Sequence, residues 1–126
     1  MGVITEAVIR VRSEYIENNY AEDYKQINNG LCPAFAEEVV SILNNHDITN
    51  VSMDDFFENE EFNCDENDKW DQNILEQWGI PYNKKLDEII FGYHVWITDG
   101  SKHYDAECPE GVSNFLELPF FKRYLQ

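Results

Sequence analysis

The stretch that most constrains the fold runs from Tyr93 to Glu107, YHVWITDGSKHYDAE. An apolar, β-branched run precedes Asp99-Gly100, and a second short run follows, which is the pattern of a β-hairpin with a two-residue turn. In that register His94 lies opposite Asp105, and directly opposed residues of antiparallel strands have Cβ atoms roughly 5 Å apart on one face. The sequence therefore predicts a His–Asp pair, in which the carboxylate fixes the tautomer of the imidazole and supports its positive charge.

Alternation along this hairpin divides its other side chains between two faces. We expect Val95, Ile97 and Tyr104 to face the core. Trp96 and His103 share the opposite face with the His–Asp pair. We expect His103 to be a solvated strand histidine beside Trp96, and we assign both side chains as candidate substrate contacts.

A nucleophile for the pair is offered by Cys32, at the start of the segment LCPAFAEEVVSIL (31–43). A proline suits the first turn of a helix, and the wide apolar face predicts a central, mostly buried helix with Cys32 at its N-cap. Unpaired N–H groups and the dipole stabilise a thiolate at such a position. An oxyanion would need donors, and the N–H of Cys32 and the side-chain amide of Gln26 are available. Asn28 and Asn29 are alternatives to Gln26.

These residues carry a resemblance to papain-like cysteine peptidases. The segment QINNGLCPAFA resembles their nucleophile segment, in which a Gln precedes a Cys that opens a helix. The order of Cys, a His on a strand and a carboxylate on the next strand is similar to NlpC/P60-like and transglutaminase-like enzymes. The C-terminal segment also resembles small uncharacterised phage and plasmid proteins of this kind.

The resemblance covers Gln26–Leu43 and Tyr93–Asp105 and implies both a fold and a site. The fold would be α+β, a compact papain-like core with N-terminal helices packed on a small antiparallel β-sheet. In the site, Cys32 would be the nucleophile, His94 the base and Asp105 the residue that orients it. Gln26 would then supply an oxyanion donor.

Charge limits the partners that this chain can bind directly. Its 126 residues include 25 Asp and Glu against 9 Lys and Arg, a formal net charge of −16. Such a charge repels a nucleic-acid backbone or an anionic membrane, but it permits a protein or peptide substrate or a basic protein partner. Acidic residues interspersed with aromatic ones over 47–80 predict an acidic helical insert within a single domain spanning residues 1–126.

Location and cofactors follow from what the sequence lacks. The chain has no apolar run long enough to span a bilayer and no secretory leader, so we expect a cytoplasmic protein, in the host cytosol if phage-encoded. Three widely spaced cysteines indicate free thiols in a reducing compartment. We expect Cys108 to lie in a loop, and we expect no cofactor. The spacing matches no zinc pattern, although a metal site could be assembled from Cys32, His94, His103 and Cys108.

Two functions from different classes follow. The first is a thiol-dependent acyl-transfer enzyme, a peptidase, amidase or deconjugating hydrolase with a Cys32–His94–Asp105 triad. The second is a non-enzymatic acidic binding protein, such as a phage-encoded inhibitor or nucleic-acid mimic acting on a basic host protein. A third combines them, as a scaffold that keeps the site residues but binds rather than cuts. Cys32 could also be a core residue only, because cysteine is among the most buried residue types.

Overall fold

The computed structural model describes residues 2–56, 70–82, 84–89 and 94–125. Residues 57–69 of the predicted acidic insert, which include Cys64, lie outside these ranges. The helices are α1 (Val3–Glu17), α2 (Tyr24–Ile27), α3 (Cys32–Leu43), α4 (Gln72–Gln77) and α5 (Pro119–Leu125). The strands are β1 (Thr49–Ser52), β2 (Val95–Thr98), β3 (His103–Asp105) and β4 (Cys108–Val112). The fold is therefore α+β, and within these ranges no helix is both long and apolar enough to cross a membrane.

The four strands form one antiparallel sheet in the order β1-β2-β3-β4. Thr98 pairs with His103, whereas the predicted two-residue turn would place it opposite Ser101, so the loop spans the four residues 99–102. Asp99 accounts for the longer loop, because its Oδ1 accepts hydrogen bonds from the N–H of Ser101 and of the next residue, both at 2.9 Å. Since side chains alternate with a period of two, this displacement by two residues leaves each side chain on its predicted face.

Both edge strands lie where the sequence predicted something else. β1 falls inside the 47–80 segment that we expected to be helical, and β4 begins at Cys108, which we expected in a loop. Pro109 is compatible with β4 because an edge strand tolerates a residue that has no N–H. At Gly111 φ is +81°, and a Cβ there would lie 2.5 Å from the ring of Tyr104, so the position requires glycine.

Helices α1 and α3 cover one face of the sheet with a largely aliphatic core. The apolar stripe along α1 is buried, as its spacing predicts: Ile4, Val8, Val11 and Tyr15. The hairpin side chains predicted to face the core belong to the same cluster: Val95, Ile97 and Tyr104. This packing places the N-terminal end of α3, and with it Cys32, in the core that covers β2.

The other face of the sheet is covered as well, by an aromatic layer. Its largest buried members are Phe56, Trp70, Trp96, Phe115, Phe120 and Phe121. Trp96 stacks on Phe56 and on Phe115, with ring centroids 5.7 and 5.0 Å apart. Beneath this layer His103 is only 2% exposed, so the prediction of a solvated histidine is wrong. The hairpin sequence shows which face His103 shares, but it does not show that distant segments cover that face.

Candidate active site

Cys32 is the first residue of α3 rather than its N-cap, which is Leu31. Its backbone N–H is still among those that a helix leaves without an intrahelical partner at its N-terminus. The turn before it depends on Gly30, whose φ of +124° is open to glycine and strained for other residues. Cys32 is a free thiol and 2% exposed.

His94 and Asp105 form the hydrogen-bonded pair at the centre of the site. Nε2 of His94 and Oδ2 of Asp105 are 2.9 Å apart, and the two side chains are 0% and 1% exposed. In the observed register the two residues are diagonal neighbours rather than directly opposed. Diagonal side chains of adjacent strands remain within reach when they are long or aromatic. The pairing is thus as predicted, although the register that produces it is not.

The second nitrogen of His94, Nδ1, has no such partner within the described part of the chain, and the Cys32 thiol lies close enough to the imidazole to influence its pKa. Asp105 occupies Nε2, and Nδ1 has no hydrogen bond of standard geometry among the described residues. Burial by itself lowers the pKa of His94, but the interactions with Asp105 and then with the Cys32 thiol outweigh it and raise the pKa above its usual value. The imidazole therefore stays protonated over a wider pH range and can pair with a thiolate.

Aromatic side chains of α5 close the site. The ring of Phe120 stacks on the His94 imidazole, with centroids 4.4 Å apart and an angle of 17° between the planes. Phe121 meets the same imidazole edge to face at 5.7 Å. These contacts keep water away from the imidazole, and a low dielectric strengthens its interaction with Asp105.

A hydrogen-bonded network that sequence reasoning missed holds Asp105 in place. Its Oδ1 accepts from the N–H of Glu107 at 2.9 Å, inside the tight turn between β3 and β4. The Glu107 carboxylate in turn accepts two hydrogen bonds from Arg123 and one from Nδ2 of Asn28, all at 2.9 Å. A signal for the turn was present, since Asp often bonds the N–H two residues on. Nothing in the sequence points to Arg123.

The remaining candidates lie in different environments. Gln26 is exposed, and its side-chain oxygen accepts a hydrogen bond from the N–H of Glu22. Asn28 is 1% exposed, and its Oδ1 has no partner among the described residues. Trp96 and His103 are both in the interior, where the indole N–H of Trp96 donates to Nδ1 of His103 at 2.9 Å.

Two other buried titratable groups of the sheet, His103 and Cys108, are uncharged at neutral pH. Burial lowers the pKa of His103 to about 4, so this imidazole is neutral at pH 7. Burial, with a smaller contribution from Glu110, raises the pKa of the Cys108 thiol to about 12, so this thiol is not a nucleophile at neutral pH. Among the described residues, no group of three or more His, Cys, Asp or Glu side chains is arranged to hold a metal ion.

The site thus combines a thiol at a helix N-terminus, an imidazole with a raised pKa and a buried carboxylate. Such a set can generate a thiolate, move a proton to or from it and hold the resulting charges in a dry environment. Comparison of the chain with protein-family models, with curated proteins and with solved structures finds no match.

Proposed function

We propose that this chain is a thiol-dependent acyl-transfer enzyme with a papain-like core, which cleaves or transfers an amide, isopeptide or thioester bond of a protein or peptide. The observation that carries the proposal is the buried His94–Asp105 pair at 2.9 Å, whose imidazole keeps Nδ1 unpartnered among the described residues and interacts with the Cys32 thiol. A purely structural role of Cys32 would not explain why a histidine and a carboxylate are buried together near it. An imidazole is expensive to bury in its charged form without a partner of opposite charge.

The reaction begins from the thiolate–imidazolium pair. Sγ of Cys32 forms a bond to the substrate carbonyl carbon, and the bond from that carbon to the leaving nitrogen or sulfur breaks. The proton on Nδ1 of His94 passes to the leaving group, which departs neutral. Water then gives a proton to Nδ1 and attacks the thioester, releasing a carboxylic acid and restoring the thiolate–imidazolium pair. If another amine or thiol replaces water, the same steps transfer the acyl group.

Other groups of the site assist without forming a bond to the substrate. Asp105 holds the imidazole in one orientation and stabilises the imidazolium, as the raised pKa of His94 reflects, although burial opposes it. The N–H of Cys32 is one donor for the oxyanion, because helix N-termini leave such groups unpaired. For the second donor, the Gln26 amide stays the prediction from the sequence; the Asn28 amide already donates to Glu107, so only its second N–H remains for an oxyanion.

Access to the site is the main requirement of this proposal. Cys32 is 2% exposed and His94 is fully covered, so a substrate has to displace part of the aromatic cover. Local opening of this cover admits small reagents to Cys32. The remote binding energy of a specialised macromolecular substrate would hold the site open for turnover, which fits this site better than general proteolysis.

Acyl-enzyme formation tests the proposal. The protein is mixed with p-nitrophenyl acetate, an activated acetyl donor, and the acetylated residue is identified by mass spectrometry of acid-quenched samples. We expect acetylation of Cys32 in the native chain and in Cys108→Ala, and its loss in Cys32→Ala and His94→Gln. Acetylation that spares Cys32, or that is equal in the native chain and His94→Gln, would overturn the proposal.

The strong negative charge and the closed site favour a second candidate, an acidic protein that binds a basic partner. A net charge of −16 steers basic proteins to the surface, and binding of this kind weakens steeply with salt. The two functions separate in Cys32→Ala, which abolishes acyl transfer but leaves charge-driven binding intact.

A further inference from the structure

A pocket of about 230 Å³ opens beside the site, lined by Lys25, Asn29, Phe120 and Arg123. Two of the residues that line the pocket also connect it to the proposed catalytic groups. Phe120 lines the pocket and also stacks on the His94 imidazole at 4.4 Å, so the same ring contacts both. Asn29 belongs to the turn that leads into α3, three residues before Cys32.

The charge of the pocket is opposite to that of the protein. Lys25 and Arg123 both line it, in a chain with only 9 basic residues against 25 acidic ones. Arg123 is held by Glu107 through two hydrogen bonds of 2.9 Å, so one of the two positive charges is balanced. A carboxylate carries the single negative charge that the Lys25 ammonium matches, whereas a doubly charged phosphate would need more positive charge.

We propose that this pocket is the substrate subsite of the Cys32 site and binds a carboxylate carried by the acyl substrate. The inference rests on the proposed acyl-transfer function and adds the class of substrate. The ammonium of Lys25 pairs with the carboxylate, and the amide of Asn29 donates a hydrogen bond to it. The part of the substrate between its carboxylate and its reacting carbonyl passes the position of the Phe120 ring. This ring turns aside as the substrate enters.

The local charge is needed because the protein as a whole opposes such a substrate. A surface with a net charge of −16 lowers the concentration of anions around it. A carboxylate can therefore bind only where nearby cations reverse the potential. Salt screens distant charges more than close pairs, so selectivity for a carboxylate in this pocket survives at 0.15 M ionic strength.

A matched pair of alkylating reagents tests the pocket. N-bromoacetyl-β-alanine carries a carboxylate, and N-bromoacetyl-β-alaninamide is the same molecule with a neutral amide. In both reactions Sγ forms a bond to the methylene carbon and bromide leaves, so the ratio of the two rates at Cys32 cancels the intrinsic reactivity of the thiol. The same ratio of rates is measured for N-acetylcysteine amide, an uncharged small thiol that has no binding pocket. Mass spectrometry identifies the alkylated residue of the protein.

Lys25→Gln is the diagnostic variant, because Lys25 is exposed and its loss leaves the fold intact. We expect Cys32 to prefer the carboxylate reagent and Lys25→Gln to lower the preference by about fivefold, the size of one exposed ion pair. Lys122→Gln removes the same charge from an exposed position of α5 that does not line the pocket, and should leave the preference unchanged.

The outcomes separate the two proposals. If Cys32 reacts with both reagents and Lys25→Gln leaves their ratio unchanged, the pocket does not read the carboxylate, while the acyl-transfer proposal stands. A ratio that falls equally in Lys25→Gln and Lys122→Gln reports the overall charge and also overturns the subsite. If Cys32 reacts with neither reagent, both proposals fail.

Discussion

The two histidines of the hairpin are equally buried and yet electrostatically opposite. His94 and His103 are 0% and 2% exposed. His94 has a raised pKa because Asp105 and Cys32 outweigh the effect of burial, whereas burial lowers the pKa of His103 to about 4. The hydrogen-bond partner of each ring accounts for the difference between the two pKa values. Nε2 of His94 lies against a carboxylate, whereas Nδ1 of His103 accepts a hydrogen bond from the indole N–H of Trp96.

This comparison shows what distinguishes a candidate base from a core histidine. A nitrogen that accepts a hydrogen bond from an indole cannot be protonated without losing that bond, because the indole has no acceptor. A nitrogen that donates to a carboxylate leaves the other nitrogen available, and the carboxylate stabilises the cation. Position on a strand does not separate the two cases, because both histidines share one face of the hairpin.

Removing the Asp105 carboxylate should have the largest effect on the free energy of unfolding. We expect Asp105→Ala to lower the free energy of unfolding by about 3 kcal/mol at pH 6, because it leaves a buried imidazole without its charged partner. Urea unfolding followed by tryptophan fluorescence measures this loss. Glu110→Ala removes the same charge from an exposed position of β4 and should cost under about 0.5 kcal/mol. Equal losses in both variants would mean that the His94–Asp105 pair contributes nothing specific.

Acid should destabilise the protein through His103. Its folded pKa of about 4 lies below the value of about 6.5 in the unfolded chain, so between these values the unfolded state binds more protons and stability falls as the pH falls. We expect a loss of about 1 to 2 kcal/mol from pH 7.5 to pH 5, allowing for solvent screening.

His103→Gln isolates this contribution, because glutamine can still accept the indole hydrogen bond of Trp96. Urea unfolding at several pH values should show a flatter acid limb in the variant than in the native chain. His94 acts in the opposite direction, since its raised pKa gives stability that is present below about pH 6.5 and is lost as the pH rises through the folded value. An unchanged acid limb in His103→Gln would contradict the contrast between the two rings.

Breaking the hydrogen-bonded network that holds Asp105 should have the smallest effect on the free energy of unfolding. Arg123→Gln breaks two hydrogen bonds to Glu107 in a partly exposed ion pair and should cost about 0.5 to 1 kcal/mol by urea unfolding. Arg10→Gln breaks the more exposed pair with Glu14 and should cost less than that. If the order of the two losses is reversed, the network does not support the site.

The sequence predicted the His94–Asp105 pair because alternation along two neighbouring strands is a local property. The loop was wrong by two residues, since the side-chain bonds of Asp99 stabilise a longer turn, and the period of two preserved the faces. β4 was missed because proline and glycine in CPEGV are typical of loops. It is a strand because it pairs with β3 at the sheet edge.

Contacts between distant segments could not be predicted from local patterns. The burial of His103 depends on an aromatic layer that includes Phe56 and Phe115, which are far apart in the chain. The network of Arg123, Glu107 and Asn28 joins α5, the β3–β4 turn and the residue after α2. Each residue there is an ordinary polar residue in sequence, and only the folded chain brings them together.

The most direct test of the central claim, that His94 and Asp105 activate Cys32, is the pH dependence of iodoacetamide alkylation at Cys32. Rates are read residue by residue by mass spectrometry in the native chain and in His94→Gln, with the buried Cys108 as an internal control. We expect Cys32 to be alkylated well below pH 7 in the native chain and this reaction to be lost in His94→Gln. A Cys32 that is inert, or that reacts only near pH 8.5 like an ordinary thiol in both proteins, would contradict the claim.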